Sequence, residues 1–393
     1  MSSVELAEVA PGLRRPRVGI DVRQYYRPMP RGMGQYIRRL IEGYALSCSD
    51  LEFVLYHERE APTDRPPLPG RFREERLRMK GARFELWERL RLPFALRRHG
   101  IDLYHGTGNT LPPRQPCATI VTLHDTLVLE GEGDDHHARY VRRAMPAALR
   151  LARRILTDSF ASARDIERVL GYPAERIRVV PLGVDEDFSP QEESRDEDVL
   201  ARYGLAPDQF LFALGASGER KNSAGLLEAL KLLKPSVPRV LIAGFQPAAL
   251  DEFRARVAAA GLEREVAVEG YLDDRDVRAL YRHAAGYVFA SKREGFGLPV
   301  VEAMASGTAV LCADRSSMPE IAGGAALYFD PEDPRSMAEA IRRLLGAGAL
   351  REELSREGLA RAKSFRWERT AQETAKIYRE VLAEIGCPGS VSS

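Results

Sequence analysis

The sequence predicts two α/β domains, each a doubly wound parallel β-sheet with helices on both faces. At 393 residues the chain is too long for a single ordinary core and suits two domains of roughly 200 residues. Short apolar runs typical of buried strands alternate with amphipathic helical patterns, and this alternation occurs twice, separated by a polar stretch. Ligands of such sheets bind beyond the carboxyl ends of the strands. We therefore expect the two domains to face a central cleft that holds the chemistry.

An acidic, polar segment from Asp185 to Arg202 marks the predicted domain boundary. It places an N-terminal domain at residues 16–190 and a C-terminal domain at residues 191–370. A last helix at residues 371–386 could cross back to the N-terminal domain. The ends of the chain, residues 1–15 and 386–393, are expected to be loose.

In the N-terminal half, apolar runs predict strands at residues 17–22, 51–56, 102–105, 118–123, 155–158 and 176–181. Helices are predicted after Gly34 and at residues 85–98, 139–153 and 159–170. The periodicity of the helix at residues 85–98 turns Leu86, Leu90, Phe94 and Ala95 inward and leaves a basic side exposed. Residues 58–83 have no clear period and are predicted to form a long surface loop.

In the C-terminal half, strands are predicted at residues 210–214, 239–243, 266–270, 287–290, 309–312 and 326–330. Helices are predicted up to Leu233, from Leu298 to Gly307, and at residues 248–260, 273–283, 334–345, 350–363 and 367–385. Because strands and helices alternate here as in the first half, a second parallel sheet is expected.

The composition argues against a membrane-spanning or secreted protein. No run approaches 18 consecutive apolar residues, and the N-terminus lacks a basic-then-apolar signal pattern, so a cytoplasmic location is expected. The net charge is only +1, but residues 1–190 contain 31 Lys and Arg against 26 Asp and Glu. The basic sides of the helices at residues 85–98 and 139–153 could attract the inner face of an anionic membrane. Ordinary solvated helix surface explains them equally well.

The stretch from Gly286 to Ala313 has the most informative pattern. A short apolar strand leads through Glu294 and a glycine-rich loop into a helix that begins at Leu298. The first N–H groups of a helix have no intrahelical partner and lie at the positive end of its dipole, so this entrance suits an anion. Glu294 and Glu302 frame it, which suggests a ligand with hydroxyls as well as phosphate. Alternatively, Glu302 only stabilises the start of the helix.

Arg220 and Lys221 follow the strand at residues 210–214 and stand at the head of the next helix. A guanidinium, an ammonium and helix N–H groups together suit a diphosphate. A solvated basic pair is the alternative. The spacing of the glycines matches neither a Walker A motif nor a dinucleotide fingerprint.

His124 and Asp125 lie at the carboxyl end of the strand at residues 118–123, where they could act as a general base pair or orient a substrate. A structural histidine is the alternative, and His105, one strand earlier, is a weaker candidate. Gly32 and Gly34 form a second glycine loop, which follows the first strand and leads into a helix.

No metal or cofactor is expected. The carboxylate pairs Asp185/Asp187 and Asp196/Asp198 lie in the acidic segment, and Asp273/Asp274 suits a helix N-cap. None follows a strand as a metal motif would. We therefore expect Arg220 and Lys221 to supply the positive charge of the site.

These motifs together resemble the retaining glycosyltransferases of family four, which have the GT-B fold of two Rossmann-like domains. The resemblance rests on EGFGLP and EAMASG within residues 294–307, on Arg220-Lys221-Asn222 after Gly215, and on TDS at residues 157–159 and VPLGVD at residues 180–185. It extends from about residue 17 to residue 385. The Arg-Lys-Asn form is similar to mannosyltransferases of surface-polysaccharide assembly, which often use GDP-mannose. Gly218-Glu219 depart from the Glu-Pro that often precedes this motif, and Met33 replaces a usual isoleucine.

The resemblance implies roles for individual residues. Glu294 would contact the donor sugar and stabilise charge at its anomeric carbon, and His124 would lie near the transferred sugar. Glu302 would hold the ribose hydroxyls, and Arg220 and Lys221 the diphosphate. The other donor-binding residues would be Gly295, Phe296, Gly297 and Leu298, and the loop at Gly32 and Gly34 would lie near the leaving diphosphate or the acceptor.

The sequence thus predicts a retaining, metal-independent glycosyltransferase. It would move a hexose, with mannose as one candidate, from a GDP- or UDP-sugar bound by the C-terminal domain to a glycan or lipid-linked acceptor bound by the N-terminal domain. Retention could arise by front-face attack or through a covalent intermediate. A non-catalytic subunit that binds sugar nucleotides and a sugar-nucleotide epimerase are the alternatives. No nucleic-acid partner is expected.

Overall fold

A computed structural model describes residues 14–27, 32–60, 67–78, 84–131, 133, 136–215 and 218–387. Most of the predicted leader and of the C-terminal tail, and Arg31 beside Gly32, lie outside these residues. The chain divides into two compact units. Unit 1 comprises the described residues up to Gly183 together with those from Trp367 onward, and unit 2 runs from Val184 to Arg366.

Unit 1 contains a seven-stranded sheet in the order β3-β2-β1-β4-β5-β6-β7, and every neighbouring pair is parallel. Its strands are β1 (Arg17–Asp21), β2 (Glu52–His57), β3 (Phe72–Arg76), β4 (Leu103–Gly106), β5 (Ala118–Thr122), β6 (Arg154–Thr157) and β7 (Ile177–Val179). Its first helices are α1 (Gly32–Ser47), α2 (Phe84–Leu86), α3 (Leu92–Arg98), α4 (His136–Leu151) and α5 (Phe160–Leu170). The strand order reverses between β1 and β4, as in a doubly wound sheet.

Unit 2 contains a six-stranded parallel sheet in the order β10-β9-β8-β11-β12-β13. The strands are β8 (Phe210–Leu214), β9 (Arg239–Ala243), β10 (Val266–Val268), β11 (Gly286–Phe289), β12 (Val310–Ala313) and β13 (Ala326–Phe329). The helices are α6 (Asp196–Arg202), α7 (Ser223–Lys231), α8 (Pro247–Ala259), α9 (Asp274–His283), α10 (Leu298–Ala305), α11 (Met318–Ala322), α12 (Pro334–Gly346) and α13 (Gly348–Ala362). The order reverses between β8 and β11. The two doubly wound parallel sheets confirm the predicted fold class.

The last helix, α14 (Trp367–Glu384), belongs to unit 1 and packs along α1. The hydroxyls of Tyr44 and Tyr378 join the two helices at 2.9 Å, and Arg379 forms a two-pronged ion pair with Asp50. The domain limits predicted from the sequence, at residues 16–190, 191–370 and 371–386, stay predictions. The same holds for the predicted binding of the acceptor by the first domain and of the donor by the second.

The helical segment at residues 84–98 corrects the predicted face. Trp87–Arg91 is a π-helical turn, in which the N–H of Leu92 donates to the carbonyl of Trp87, five residues earlier. This extra residue rotates the helix, so that Trp87, Leu92 and Leu96 are buried whereas Leu90 and Phe94 are 60% and 69% exposed. The predicted inward positions of Leu90 and Phe94 are therefore wrong.

Two further elements were not predicted. β3 lies within the supposed loop at residues 58–83 and pairs with β2 at the edge of the sheet. α6 lies within the supposed linker, where Asp196 is buried in ion pairs with Arg282 and His283 of α9. No helix among the described residues is both long and apolar enough to span a bilayer.

Candidate active site

The carboxyl ends of β8 and β11 form the centre of the candidate site in unit 2. These two strands are neighbours at the point where the strand order reverses, and Leu211 and Phe212 of β8 pair with Gly286 and Tyr287 of β11. Ligands of open α/β sheets bind at such switch points because the loops after the two strands diverge there. The loop after β8 contains Arg220, and the loop after β11 contains Glu294.

Arg220 and Lys221 both bind Glu294, although 74 and 73 residues separate them from it in sequence. The Arg220 Nη1 and Lys221 Nζ atoms each lie 2.7 Å from the same carboxylate oxygen, Glu294 Oε1. The three side chains are 28%, 23% and 16% exposed, so the cluster is half-buried but open to solvent. Arg220 and Lys221 belong to a 3-10 turn that precedes α7, and Asn222, with φ 54°, turns the chain into that helix. The predicted position at the head of a helix is thus correct to within two residues.

The backbone joins the same two loops. The N–H of Lys292 donates to the carbonyl of Arg220 at 2.8 Å, and Arg220 Nη1 also reaches the carbonyl of Arg293 at 3.2 Å. Lys221 Nζ lies 5.3 Å from the centre of the Phe289 ring. These contacts hold the cations beside the loop between β11 and α10, residues 290–297, which we call the glutamate loop. There their combined charge would meet an anionic ligand.

The glycine-rich loop enters α10 as the sequence predicts. Gly297, with φ 103°, caps the helix in a backbone conformation that favours glycine, and Pro299 lies in the first turn. A Cβ on Gly297 would lie 2.4 Å from the Cε atom of Met318, so the loop packs closely there. Phe296 is buried against Phe365 at 5.7 Å between ring centres. Gly295 and Leu298 flank these two residues and are partly exposed.

Glu302 lies in the second turn of α10, and the first turn contains no acidic residue. The alternative that Glu302 stabilises the start of the helix is therefore wrong. Burial raises the pKa of Glu302 to about 8, and the charges of Asp185 and Asp274 add to this effect. The Tyr281 hydroxyl donates weakly to Glu302 Oε2 at 3.4 Å. The Glu302 carboxyl group is therefore mostly neutral at pH 7, and it lies at a partly buried position on the helix that follows the loop.

Two serines after β12 hold the glutamate loop, and no motif in the sequence indicated them. Ser316 Oγ donates to the carbonyl of Glu294 at 2.7 Å and accepts from its N–H at 3.2 Å. Ser317 Oγ lies 3.0 Å from the carbonyl oxygen of Glu294 and 2.8 Å from that of Phe296. Such contacts depend on the approach of two loops and cannot be read from sequence spacing.

His124 of unit 1 follows β5, and Asp158 follows the neighbouring strand β6. His124 Nδ1 lies 2.6 Å from Asp158 Oδ2, the Asn109 side chain accepts from the His124 N–H, and the Tyr36 ring packs edge-on against the imidazole at 5.0 Å. Burial lowers the pKa of His124, but the Asp158 carboxylate outweighs this effect, and the pKa lies above its ordinary value. The Nε2 atom is buried and has no hydrogen-bond partner among the described residues.

The partner of His124 is Asp158, whereas the sequence paired it with Asp125. The Asp125 side chain instead accepts from the N–H of Leu127 and closes a local turn. Asp158 was visible only as part of the TDS string. Because carboxyl ends of adjacent parallel strands share one edge of the sheet, this pairing becomes evident once the strand order is known.

His105 is a structural residue. It is fully buried, and its two ring nitrogens contact the hydroxyls of Tyr378 at 2.6 Å and of Thr122 at 2.8 Å. Burial lowers its pKa to about 3, so the ring is neutral at physiological pH.

Gly32 and Gly34 were predicted to lie in a loop, and that prediction is wrong. Both belong to the first turn of α1, which begins at Gly32. Tyr36 and Ile37 follow as the first large residues of its buried face, so the helix begins one turn before the apolar pattern from which it was predicted.

Two of the three carboxylate pairs lie at the starts of helices, whereas Asp185 and Asp187 lie in no helix. Asp273 caps α9 by accepting from the N–H of Asp276 at 2.8 Å, as the sequence predicts. Asp196 and Asp198 lie in the first turn of α6. Across the described part of the chain, no group of three or more His, Cys, Asp or Glu side chains is arranged to hold a metal ion.

Comparisons with known proteins find glycosyltransferases in both halves of the chain. Residues 30–188 match the family described as Glycosyltransferase Family 4, and residues 201–361 match the family described as Glycosyl transferases group 1. The O-antigen chain mannosyltransferase B of Escherichia coli is 31% identical over 88% of this chain and 96% of its own length. The serotype-specific mannosyltransferase WbdA of Escherichia coli is 30% identical over 68% of this chain, which spans only 34% of WbdA.

Solved structures share the fold. HepE of Anabaena, in complex with UDP-glucose, superposes with a TM-score of 0.73 at 17% identity. The match covers 93% of this chain and 99% of that one. At this identity the likeness establishes the two-domain architecture.

Proposed function

Because this chain belongs to the glycosyltransferases of group 1 and family 4, with the GT-B fold, we propose that it is a retaining, metal-independent hexosyltransferase of polysaccharide or glycoconjugate biosynthesis. It transfers the sugar of a nucleotide diphosphate sugar to a glycan or lipid-linked acceptor. The observation that carries the proposal is the cluster of Glu294 with Arg220 and Lys221, which joins one carboxylate and two cations at the switch point of unit 2.

The donor is a GDP- or UDP-sugar, and mannose is the first sugar to test. Two relatives that match across most or much of this chain are named mannosyltransferases, and HepE binds UDP-glucose. The two cations suit the diphosphate that both donor types share. Glu302 lies on the helix that the glutamate loop enters, and it binds the ribose hydroxyls.

The cluster favours cleavage of the bond between the anomeric carbon and the diphosphate. As that bond breaks, the sugar gains positive charge and the departing diphosphate gains negative charge. Arg220 and Lys221 stabilise the diphosphate, and Glu294 stabilises the sugar. The acceptor hydroxyl forms the new bond to the anomeric carbon and gives its proton to the departing diphosphate. Since Arg220 and Lys221 offset part of the negative charge of the diphosphate, we infer that the reaction runs without a metal ion.

His124 binds the sugar that is transferred. Asp158 holds Nδ1 of the His124 ring at 2.6 Å. The buried Nε2 atom is therefore the ring nitrogen that remains to contact the sugar. Because Asp158 raises the pKa of His124, the imidazole retains a proton on Nε2 over more of the neutral range and can donate to a sugar hydroxyl.

A lipid-linked acceptor requires contact with the inner face of the membrane, and unit 1 has a surface that suits it. Arg89, Arg139 and Arg143 line a groove of about 660 Å³ between the helical segment at residues 84–98 and α4. Leu90 and Phe94 are exposed on that segment. Basic side chains near an anionic surface contribute about 1 kcal/mol each, and exposed apolar side chains add insertion into the interface. The protein thus acts in the cytoplasm as a peripheral membrane enzyme.

A donor panel tests the proposal. Purified protein is incubated with GDP-mannose, other GDP-sugars and UDP-sugars together with glycan and lipid-linked acceptors, and products are identified by mass spectrometry. We expect one donor to give an acceptor extended by one hexose, the same anomeric configuration by NMR as in the donor, and a rate that EDTA leaves unchanged. Binding without transfer across the whole panel would contradict the proposal.

A further inference from the structure

The turn between β12 and α11 contains Ser316 and Ser317, whose hydroxyls bond to the backbone of the glutamate loop. We propose that these two serines are positioning residues that fix the direction of the Glu294 side chain. This inference rests on the proposed function, because it concerns the donor site of that reaction.

The Ser316 hydroxyl forms hydrogen bonds with both polar groups of the Glu294 backbone, the N–H and the carbonyl. It donates to the Glu294 carbonyl at 2.7 Å and accepts from the Glu294 N–H at 3.2 Å. One side chain therefore fixes both peptide planes from which the Glu294 side chain projects. A loop residue that is held at its N–H and its carbonyl has few remaining backbone orientations.

Ser316 makes these bonds from an unfavourable backbone conformation. Its φ of 58° lies in the left-handed region, which glycine adopts freely and serine rarely does. Glycine would satisfy the turn without strain but would supply no hydroxyl. A strained residue near a functional site is a reason to suspect that its side chain is needed there.

Ser317 extends these contacts along the loop. It is fully buried, and its hydroxyl lies between the carbonyl oxygens of Glu294 and Phe296 at 3.0 and 2.8 Å. The next residue, Met318, packs against Gly297. The turn therefore supports the loop continuously from Glu294 to the cap of α10.

The opposite side of the loop is held by the cations. Glu294 Oε1 accepts from Arg220 and Lys221. The serine turn therefore holds the backbone of Glu294, and the loop after β8 holds its carboxylate. Without the serines, the carboxylate would keep its bonds to the two cations, but the backbone of Glu294 would no longer be held in one position. Because misplacement of a reacting group by about 1 Å can cost about 100-fold in rate, such freedom should lower turnover more than binding.

The test is Ser316→Gly, which removes the hydroxyl but suits the backbone conformation. We expect kcat to fall about 10-fold, with the KM for the donor changed by less than about twofold and the melting temperature not lowered. Ser355→Ala is the matched control, since Ser355 also donates from a side chain to a loop carbonyl, that of Gly307, elsewhere in unit 2. Its kcat should stay within about twofold of the wild type.

A double-mutant cycle separates positioning from general support. If Ser316 acts through Glu294, then Ser316→Gly should change the residual rate of Glu294→Ala by less than about twofold. An equal loss in both backgrounds would overturn the proposal, as would an unchanged kcat of Ser316→Gly.

Hydrogen exchange provides a readout that is independent of turnover. Ser316→Gly should increase exchange in the peptide that contains Glu294, and Ser355→Ala should not. If the wild type transferred no sugar from any donor, the proposed function would fail, yet unchanged protection of that peptide would still overturn the positioning role.

Discussion

The charge of Glu294 should weaken the binding of the nucleoside diphosphate product, so we expect Glu294→Gln to bind it more tightly. In the structure, one carboxylate oxygen accepts from Arg220 and from Lys221, both at 2.7 Å. A diphosphate that binds these cations must compete with that carboxylate. The glutamine side chain has a similar shape but no charge, and it competes less well.

The magnitude follows from the two hydrogen bonds. Bonds to charged groups contribute about 1.5–3 kcal/mol each, and the three partly exposed side chains reduce this by solvent screening. Glutamine retains part of the interaction as a neutral acceptor. A net gain of about 1–2 kcal/mol corresponds to a dissociation constant roughly 5- to 30-fold lower. Over the same change, kcat should fall on the order of 100-fold, because the charge at the sugar is lost.

Isothermal titration with GDP and UDP measures the first effect, and the steady-state rate measures the second. Glu332→Gln is the control, since the Glu332 carboxylate pairs with the neighbouring Lys292 at 2.9 Å. Its affinity should stay within about twofold of the wild type. Unchanged or weaker diphosphate binding by Glu294→Gln would refute the competition.

Three further results are expected. Diphosphate binding should strengthen as the pH rises through about 8, because Glu302 is neutral below that value and its ionised form accepts better from ribose hydroxyls; Glu302→Gln should flatten this dependence in titrations from pH 6.5 to about 9.5. Asp158→Asn should lower the pKa of His124, measured by NMR of the imidazole, and lower kcat about 10-fold or more; an unchanged pKa would contradict the pairing. Arg143→Glu should reduce sedimentation with liposomes that contain anionic lipid, whereas binding that does not depend on anionic lipid would remove the proposed membrane contact.

The sequence predicted the sheets because both are built from short apolar strands that alternate with helices. For β8 and β9 the predicted and observed limits coincide, since each strand is buried and bounded by polar turns. β3 was missed because its residues, FREER, are mostly charged and lie at the edge of the sheet, where pairing depends on backbone hydrogen bonds and not on burial.

The π-helical turn shows a different limit of sequence reasoning. A period of 3.6 residues correctly indicated a helix at residues 85–98, but one inserted residue at Trp87–Arg91 moved the buried face from Leu90 and Phe94 to Leu92 and Leu96. The insertion also places Glu88 in the core, where it pairs with Arg23 at 2.9 Å. Buried charge at a position of this kind is not visible in a pattern of apolar residues.

For the candidate site, the motifs identified the residues but not their contacts. Spacing placed Arg220 and Glu294 at the carboxyl ends of two strands, and only the strand order makes those strands neighbours. The hydrogen bond from Ser316 to the Glu294 carbonyl depends on a third loop, after β12, which contains no recognisable motif.

Turnover by the wild type and by Glu294→Ala, measured side by side with the donor and acceptor that the panel identifies, tests the central claim most directly. The account predicts that the wild type extends the acceptor by one hexose and releases one nucleoside diphosphate per transfer. It predicts that Glu294→Ala stays folded and loses on the order of 99% of this activity. Full turnover by Glu294→Ala would contradict the assignment of the cluster as the catalytic centre.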